Sequence, residues 1–255
     1  MALKQVFHSA AEALTGWRIG QHARGAAKNV PVLKSGLPQL DRATELNGLP
    51  AGRLIELISP DTGGGLSVLA KIAAKFQRQQ MPVLILDLTG QFEAEHAIRC
   101  GLVAPELLCH RPDNVLALIN RLESSARQVG LIGINYGFIP TTLGAVPAPS
   151  LQALLQRLVR IISHSEAVFL AITNLEDSNP LIHTNYLPPF PLYERADLRL
   201  WLQDVGWIKR KGEVVGYRGN ITVIKNRLGG SGKGADIRIP FVNPELVALA
   251  EALDF

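Results

Sequence analysis

Cysteine is scarce: Cys100 and Cys109 are the only two among 255 residues. They show no metal-type spacing and no accompanying histidine set, which points away from a zinc site or a disulfide framework and toward ordinary reduced thiols. No apolar run approaches the roughly 18 to 20 residues that span a bilayer. The opening stretch MALKQVFHSAAEAL lacks the basic-then-apolar order of a secretory leader. The expectation is therefore no membrane partner and a cytoplasmic location. Aromatic residues make up 6% of the chain and charged residues 19%, against 47% hydrophobic, an ordinary globular balance. Charge of either sign is also in short supply as a signal. A net charge of +4 and a pI near 9.2 permit a polyanionic partner without requiring one.

At this length the chain fits one large α/β domain with small extensions. Leu3, Val6, Phe7, Ala10 and Leu14 recur at helical spacing and form one apolar stripe. That stripe must be buried on its own domain or on a neighbouring subunit. Residues 1–34 are read as this helix plus a basic linker, and 35–255 as the core. From Gly36 onward, short apolar runs (RLIELI, VLILDL, LIGIN, VFLAIT) alternate with the helical patterns LSVLAKIAAKFQRQ, NVLALINRLESSARQ and LQALLQRLVRIISH. This succession predicts a mainly parallel twisted sheet flanked by helices. DLRLWLQ, GNITVIKN and ADIRIPF then predict antiparallel strands extending the sheet, and Asn243 with Pro244 predicts a short final helix. Residues 137–150 and 176–193 are long connections rich in Pro, Gly and Asn that follow strand C-terminal ends, where α/β proteins place function.

The stretch RLIELISPDTGGGLSVLAKIAAKF, Arg53 to Phe76, has the strand, glycine-rich turn and helix of a phosphate-binding loop. Such a loop reads G-x-x-x-x-G-K-[ST], with the Lys neutralising phosphate charge and the hydroxyl holding Mg²⁺. Ser59, Asp61, Thr62, Gly63, Gly64, Gly65, Leu66 and Ser67 occupy this region, so Gly65 stands for the Lys and Leu66 for the hydroxyl. The later GGSGKG, residues 229–234, is read as a flexible turn: a strand follows it rather than a helix.

Together with SGLPQLDRATELNGLPAGRLIELISP and GEVVGYRGNITVIKNRL, these features resemble the bacterial RecA recombinase family over most of Gly36 to Phe241. The resemblance implies a RecA-like core, ATP hydrolysis, filament assembly and DNA binding. The catalytic positions depart from what it implies. The water-activating carboxylate aligns with Thr89, two residues after Asp87, while Glu93 lies further along. Asn135 stands for a metal-supporting Asp, and Asn174 for a Gln that senses the γ-phosphate. Phosphoryl transfer relies almost wholly on positioning and on charge neutralisation by Lys, Mg²⁺ and Arg. The expectation is a catalytically inactive chain with no cofactor, neither ATP nor Mg²⁺, although a glycine-rich helix start can still hold an anion weakly.

By the same resemblance, Lys225 and Arg227 match basic positions that reach a neighbouring subunit's nucleotide. Pairing with acidic residues across an interface, contact with nucleic acid, or a plain strand-end role remain open to them. Leu3, Val6 and Phe7 join them as interface candidates. The family's DNA-holding loops correspond to the two Pro-rich connections, which are poor in cations; Tyr186 and Phe190 could stack there. Arg195, Lys209, Arg210, Lys211 and Arg218 are the better phosphate contacts. A shortened RecA-like core with an eroded loop and no separate C-terminal domain also resembles ImuA, an accessory protein family associated with damage-induced mutagenic polymerases. The functional expectation is an accessory or scaffolding factor in DNA repair, recombination or SOS-type translesion synthesis. Its expected partners are a RecA-like subunit or a repair or translesion polymerase component, with single-stranded DNA and oligomer formation open. Two alternatives stand beside it: a nucleotide-independent DNA-binding protein, and an unconventional RecA-like ATPase using Ser67, Glu93 and a neighbour's Lys.

Overall fold

The computed structural model describes residues 30–60, 64–137, 148–175 and 195–242. Outside the described residues lie the expected N-terminal helix with Leu3, Val6 and Phe7, the loop residues Asp61, Thr62 and Gly63, Tyr186 and Phe190, most of both Pro-rich connections, and the expected final helix.

The chain enters through β1 (Val32–Leu33), α1 (Pro38–Ala43) and β2 (Leu49–Pro50). The strand β3 (Leu54–Pro60) leads to α2 (Gly65–Gln77), then β4 (Val83–Asp87), α3 (Ala94–Arg99), β5 (Leu107–His110) and α4 (Val115–Ser125). Next come β6 (Leu131–Gly137), α5 (Ala148–Ser163), β7 (Val168–Leu175), β8 (Leu198–Arg210), β9 (Glu213–Asn226) and β10 (Gly234–Pro240). Eight strands form one sheet in the order β10-β9-β8-β3-β7-β6-β4-β5. The run from β8 to β5 is parallel, while β9 and β10 are antiparallel additions, so the expected α/β architecture is the one found.

The patterning explains the layers. All five residues of β4 are buried, because a parallel strand covered by helices on both faces has no polar side to show. Val68, Leu69, Ile72, Ala73 and Phe76 of α2 pack on one face with Ile55, Leu57, Leu170 and Leu200. Leu118, Ile119 and Leu122 of α4 and Leu155, Leu158 and Ile162 of α5 cover the other, against Leu84, Ile132, Phe169 and Ala171. A buried ion pair sits inside this apolar sheet: Arg199 Nε donates to Glu56 Oε2 at 2.6 Å, and Thr173 Oγ1 donates to Glu56 Oε1 at 3.2 Å.

Some details differ from the sequence reading, among them the edge strand β5, which it did not include. VLILDL ends one residue early, because the Asp87 carboxylate turns inward to accept from Thr89 N, Thr89 Oγ1, Phe92 N and Asn135 Nδ2. The C-terminal strands are 13 and 14 residues long, since their ladder continues through polar residues to a two-residue turn. Lys211 and Gly212 both have positive φ there, 52° and 88°, as a right-twisted hairpin turn of this length requires. The GGSGKG segment is tied down rather than loose: Gly230 N donates to Glu45 Oε2 at 2.8 Å and Lys233 pairs with Glu45 at 2.6 Å.

Candidate functional site

A cavity of about 350 Å³ opens at the C-terminal ends of the parallel strands, the edge where open α/β sheets hold ligands. The ends of β3 and β7 supply Ser59 and Asn174, the start of α2 supplies Gly64 to Ser67, the approach to α3 supplies Gln91, Phe92 and Glu93, and α3 itself His96. Trp207 of β8 closes one side. A larger hollow of about 660 Å³, lined by Met81, Arg127 and His164 among others, lies at the opposite edge, away from the glycine-rich turn.

The altered loop positions are interlocked. Ser59 Oγ donates to Asn174 Oδ1 at 3.2 Å. A Cβ at Gly65 would fall 2.7 Å from that same Ser59 Oγ and 2.9 Å from Ile172 Cγ2, both closer than real side chains approach. The root of any side chain at the position expected to hold Lys is thus occupied. Gly64 caps α2 at φ 68°, and a Cβ on it would overlap the phenol tip of Tyr217. Tyr217 is 3% exposed, and burial pushes its hydroxyl above the ordinary tyrosine pKa.

Ser67, one place after the expected hydroxyl position, lies 2.7 Å from His96 Nε2, with the donor set by the imidazole tautomer. Burial, then the charge of Arg99, hold His96 below its usual pKa against the opposing pull of Glu93. The imidazole meets Phe241 edge-on at 5.5 Å and Trp207 at 6.4 Å. Cys100 sits beneath it, its thiol pushed up to about 11 mainly by burial. Thr89 and Asn135 belong to a network around Asp87: Asn135 Nδ2 donates to Asp87 Oδ1 at 2.8 Å and to Thr89 Oγ1 at 2.7 Å. The cavity therefore offers hydroxyls, amides, an imidazole and the Glu93 carboxylate, and none of its described lining residues is Lys or Arg. Among the described residues no group of three His, Cys, Asp or Glu is placed to hold a metal ion, and no helix is long and apolar enough to cross a membrane.

Lys225 and Arg227 lie at the opposite edge of the sheet, beside the starts of β3 and β8. Arg227 approaches Asp197 at 3.8 Å and Arg53 approaches it at 4.0 Å. Burial, then Arg227 and Arg199, push Lys225 down to about 8, opposed by Asp197 and Glu56. Since the unfolded value is near 10.5, the unfolded chain binds more protons between these pH values, and this group makes stability rise with pH across that window. Lys225→Met should remove the rise. Urea midpoints of the two proteins should converge on going from about pH 7.5 to about pH 10; parallel pH profiles would contradict the assignment.

The proposed phosphate contacts separate into two places. Lys209, Arg210 and Lys211 gather at the β8–β9 turn, with Arg218 nearby on β9, whereas Arg195 is exposed at the far end of β8. Sequence reasoning missed Trp207, Tyr217 and His96. The only signal was period-two spacing in VGWIKRKGEVVGYRG, which pairs Trp207 with Tyr217 across the hairpin.

The chain is similar to known proteins over most of its length. Protein RecA of Chlorobium limicola is 25% identical over 247 residues, covering 90% of this chain and 70% of the relative. Protein RecA of Ectopseudomonas oleovorans is 25% identical, with 89% and 71% covered, and that of Chloroherpeton thalassium 25%, with 80% and 61%. A model of the RecA N-terminal domain matches residues 4–134, more than half of the sequence, and the chain belongs to the RecA family.

Proposed function

We propose that this is a RecA-like protein that does not hydrolyse ATP and acts in the cytoplasm as an accessory or scaffolding factor in DNA repair, recombination or damage-induced translesion synthesis. The observation that carries the reading is the packing around Gly65. The space where a phosphate-neutralising side chain would begin is taken by Ser59 and Ile172. A magnesium triphosphate does not fit this residue set. Its described lining has no cation, Leu66 supplies no hydroxyl, and Glu93 adds like charge. Backbone N–H groups at the start of α2 remain, and they are worth little against a fully charged triphosphate without Lys or metal.

What such a chain offers is surface. The N-terminal apolar stripe with Leu3, Val6 and Phe7 is one, ahead of a core running from about residue 35. The edge bearing Lys225 and Arg227 is another, and it lies across the sheet from the Glu93 cavity. A head-to-tail neighbour, of this chain or of another RecA-like subunit, would set the cationic edge of one against the cavity edge of the next.

Two measurements test the reading. Light scattering of the purified protein with RecA, or with a repair polymerase component, should report a complex, and no change in mass with any of them counts against a scaffold. Phosphate release from Mg-ATP should stay at background for the natural protein and for Gly65→Lys, because the new side chain must push Ser59 and Ile172 aside and Leu66 still supplies no hydroxyl for the metal. Turnover that Glu93→Gln abolishes would establish the rival ATPase reading instead.

A further inference from the structure

β8 pairs with β3 only as far as Trp201, opposite Ile58. Beyond that point it runs on with β9 to the Lys211–Gly212 turn, as a ribbon beside the cavity that Trp207 helps to line. Trp207 is 53% exposed and tops an aromatic cluster. Its ring centroid lies 6.1 Å from that of Tyr217, 6.2 Å from Phe241 and 6.4 Å from His96. Ile208, Val214, Val215 and Phe241 beside it are part-exposed. A contiguous apolar patch at a cavity mouth marks a place where something docks.

The rim of this patch is cationic. Arg99, in the last turn of α3, holds its guanidinium 4.5 Å from the Phe241 ring centroid and donates to Val214 O at 3.3 Å. Lys209, Arg210 and Lys211 are exposed along the tip of the ribbon. None of these four is in an ion pair among the described residues. Glu213 stands opposite Arg210 at the tip, while Glu93 and Glu95 sit at the other end of α3.

The described part of the chain leaves the fold at this patch. Phe241 N donates to Val215 O at 2.9 Å and Val242 N to Arg99 O at 2.8 Å. Residues 243–255, outside the described residues, read NPELVALAEALDF. They carry Glu245, Glu251 and Asp254 and no Lys, Arg or His. Leu246, Leu249, Ala250 and Leu253 recur at i, i+3, i+4 and i+7, which makes one apolar face of the helix expected from Asn243 onward. At about 1.5 Å of rise per residue such a helix reaches about 20 Å, ample to lie over Trp207. The N-terminal stripe is apolar too, but residues 1–29 carry Lys4, Arg18, Arg24 and Lys28 against Glu12, the wrong sign for this rim.

We infer that residues 243–255 fold back as a cover on the patch, with Leu246, Leu249 and Leu253 on Trp207 and Phe241 and the acidic residues toward Arg99 and the Lys209–Lys211 tip. The cover lies across the cavity mouth, so a ligand or partner segment entering there has to displace it. Tethering favours this occupant over a free acidic segment of another protein, since a short link gives an effective concentration of about millimolar. The inference depends neither on loss of hydrolysis nor on the scaffolding reading: association with RecA or a polymerase component can stand if it fails.

Acrylamide quenching of tryptophan fluorescence in the full chain tests it, the difference between a protein and its Trp207→Phe counterpart isolating Trp207. Quenching of Trp207 should be weak in the natural protein and should rise in Leu246→Asp/Leu249→Asp/Leu253→Asp, which has no apolar face to bury. Lys209→Glu/Arg210→Glu/Lys211→Glu should raise it as well, and adding Glu245→Lys/Glu251→Lys/Asp254→Lys to that variant should restore the shielding. A synthetic peptide of residues 243–255 should bind the leucine variant at least about tenfold more tightly than it binds the natural protein, whose own segment already holds the surface. Shielding should not change with protein concentration, because cover and surface belong to one chain. Circular dichroism checks that each variant is folded, and the charge reversals form a separate arm should the leucine variant misfold. The inference is overturned if Trp207 is as accessible in the natural protein as in the leucine variant, if reversing both sets of charges fails to restore shielding, or if the peptide binds both proteins equally. Shielding lost on dilution would also overturn it, since a second copy would then be the occupant.

Discussion

Arg199→Met should destabilise the fold by about 3–5 kcal/mol, read as a lower urea midpoint with little change in slope. Glu56 is 0% exposed in the middle of a parallel strand whose neighbours are apolar. Its carboxylate is held by the Arg199 guanidinium at 2.6 Å and the Thr173 hydroxyl at 3.2 Å. Methionine keeps most of the packing of the arginine stem and removes only the charge and the donor. The loss therefore reports a buried carboxylate left without its cation. Removing both charges tells a different story. Glu56→Leu/Arg199→Met should recover most of the stability, because a buried pair roughly breaks even against apolar residues of similar volume. A single-variant loss below about 1 kcal/mol would show that solvent reaches Glu56.

That pair also marks where the sequence could be read and where it could not. RLIELI was legible as a buried strand because four of its six residues suit one, and the β-α-β succession after it left little choice of architecture. Nothing local indicated that Glu56 would find Arg199, 143 positions away. β5 was missed because LLCH is four residues long and mostly exposed at the sheet edge, so it lacks the apolar run of a central strand. The length of β8 and β9 was missed because Lys209, Arg210, Lys211 and Glu213 look like a loop, although a solvated ribbon needs no apolar side.

The same limit governed the candidate site. That Gly65 and Leu66 depart from the Lys and hydroxyl of a phosphate-loop motif was visible, since a motif is a local pattern. What fills the place of the missing groups was not. Tyr217 arrives from a strand some 150 residues later and His96 from a different helix, and only the sheet order brings them to one turn. The substitutions at Ser59, Gly65 and Asn174 look like three separate losses in the sequence. In the structure they are one packed unit, joined by the Ser59–Asn174 hydrogen bond and by the contact that a Gly65 side chain would violate.

Gly64→Ala tests whether that packed turn is integral to the fold, and it should cost about 2–4 kcal/mol. Two effects add. At φ 68° any residue with a Cβ meets the left-handed backbone penalty of about 1–2 kcal/mol. The new methyl group would also overlap the Tyr217 ring, which is buried against Trp207 and cannot swing away without opening the core. The two contributions are separable. Tyr217→Ala alone should lose about 3–5 kcal/mol as a large buried side chain is removed. In the double variant the methyl group enters the space left by the ring, so the overlap disappears and only the backbone penalty is added. The double variant should then lose at least about 1 kcal/mol less than the sum of the two single losses. Strict additivity in urea denaturation would mean that Gly64 and Tyr217 do not touch in solution, and that the turn is open where the structure has it closed. Such non-additivity instead makes Tyr217 part of the floor beneath the glycine-rich turn. A chain built that way has tied the turn's geometry to its own stability, which leaves the turn little freedom to reshape around a triphosphate.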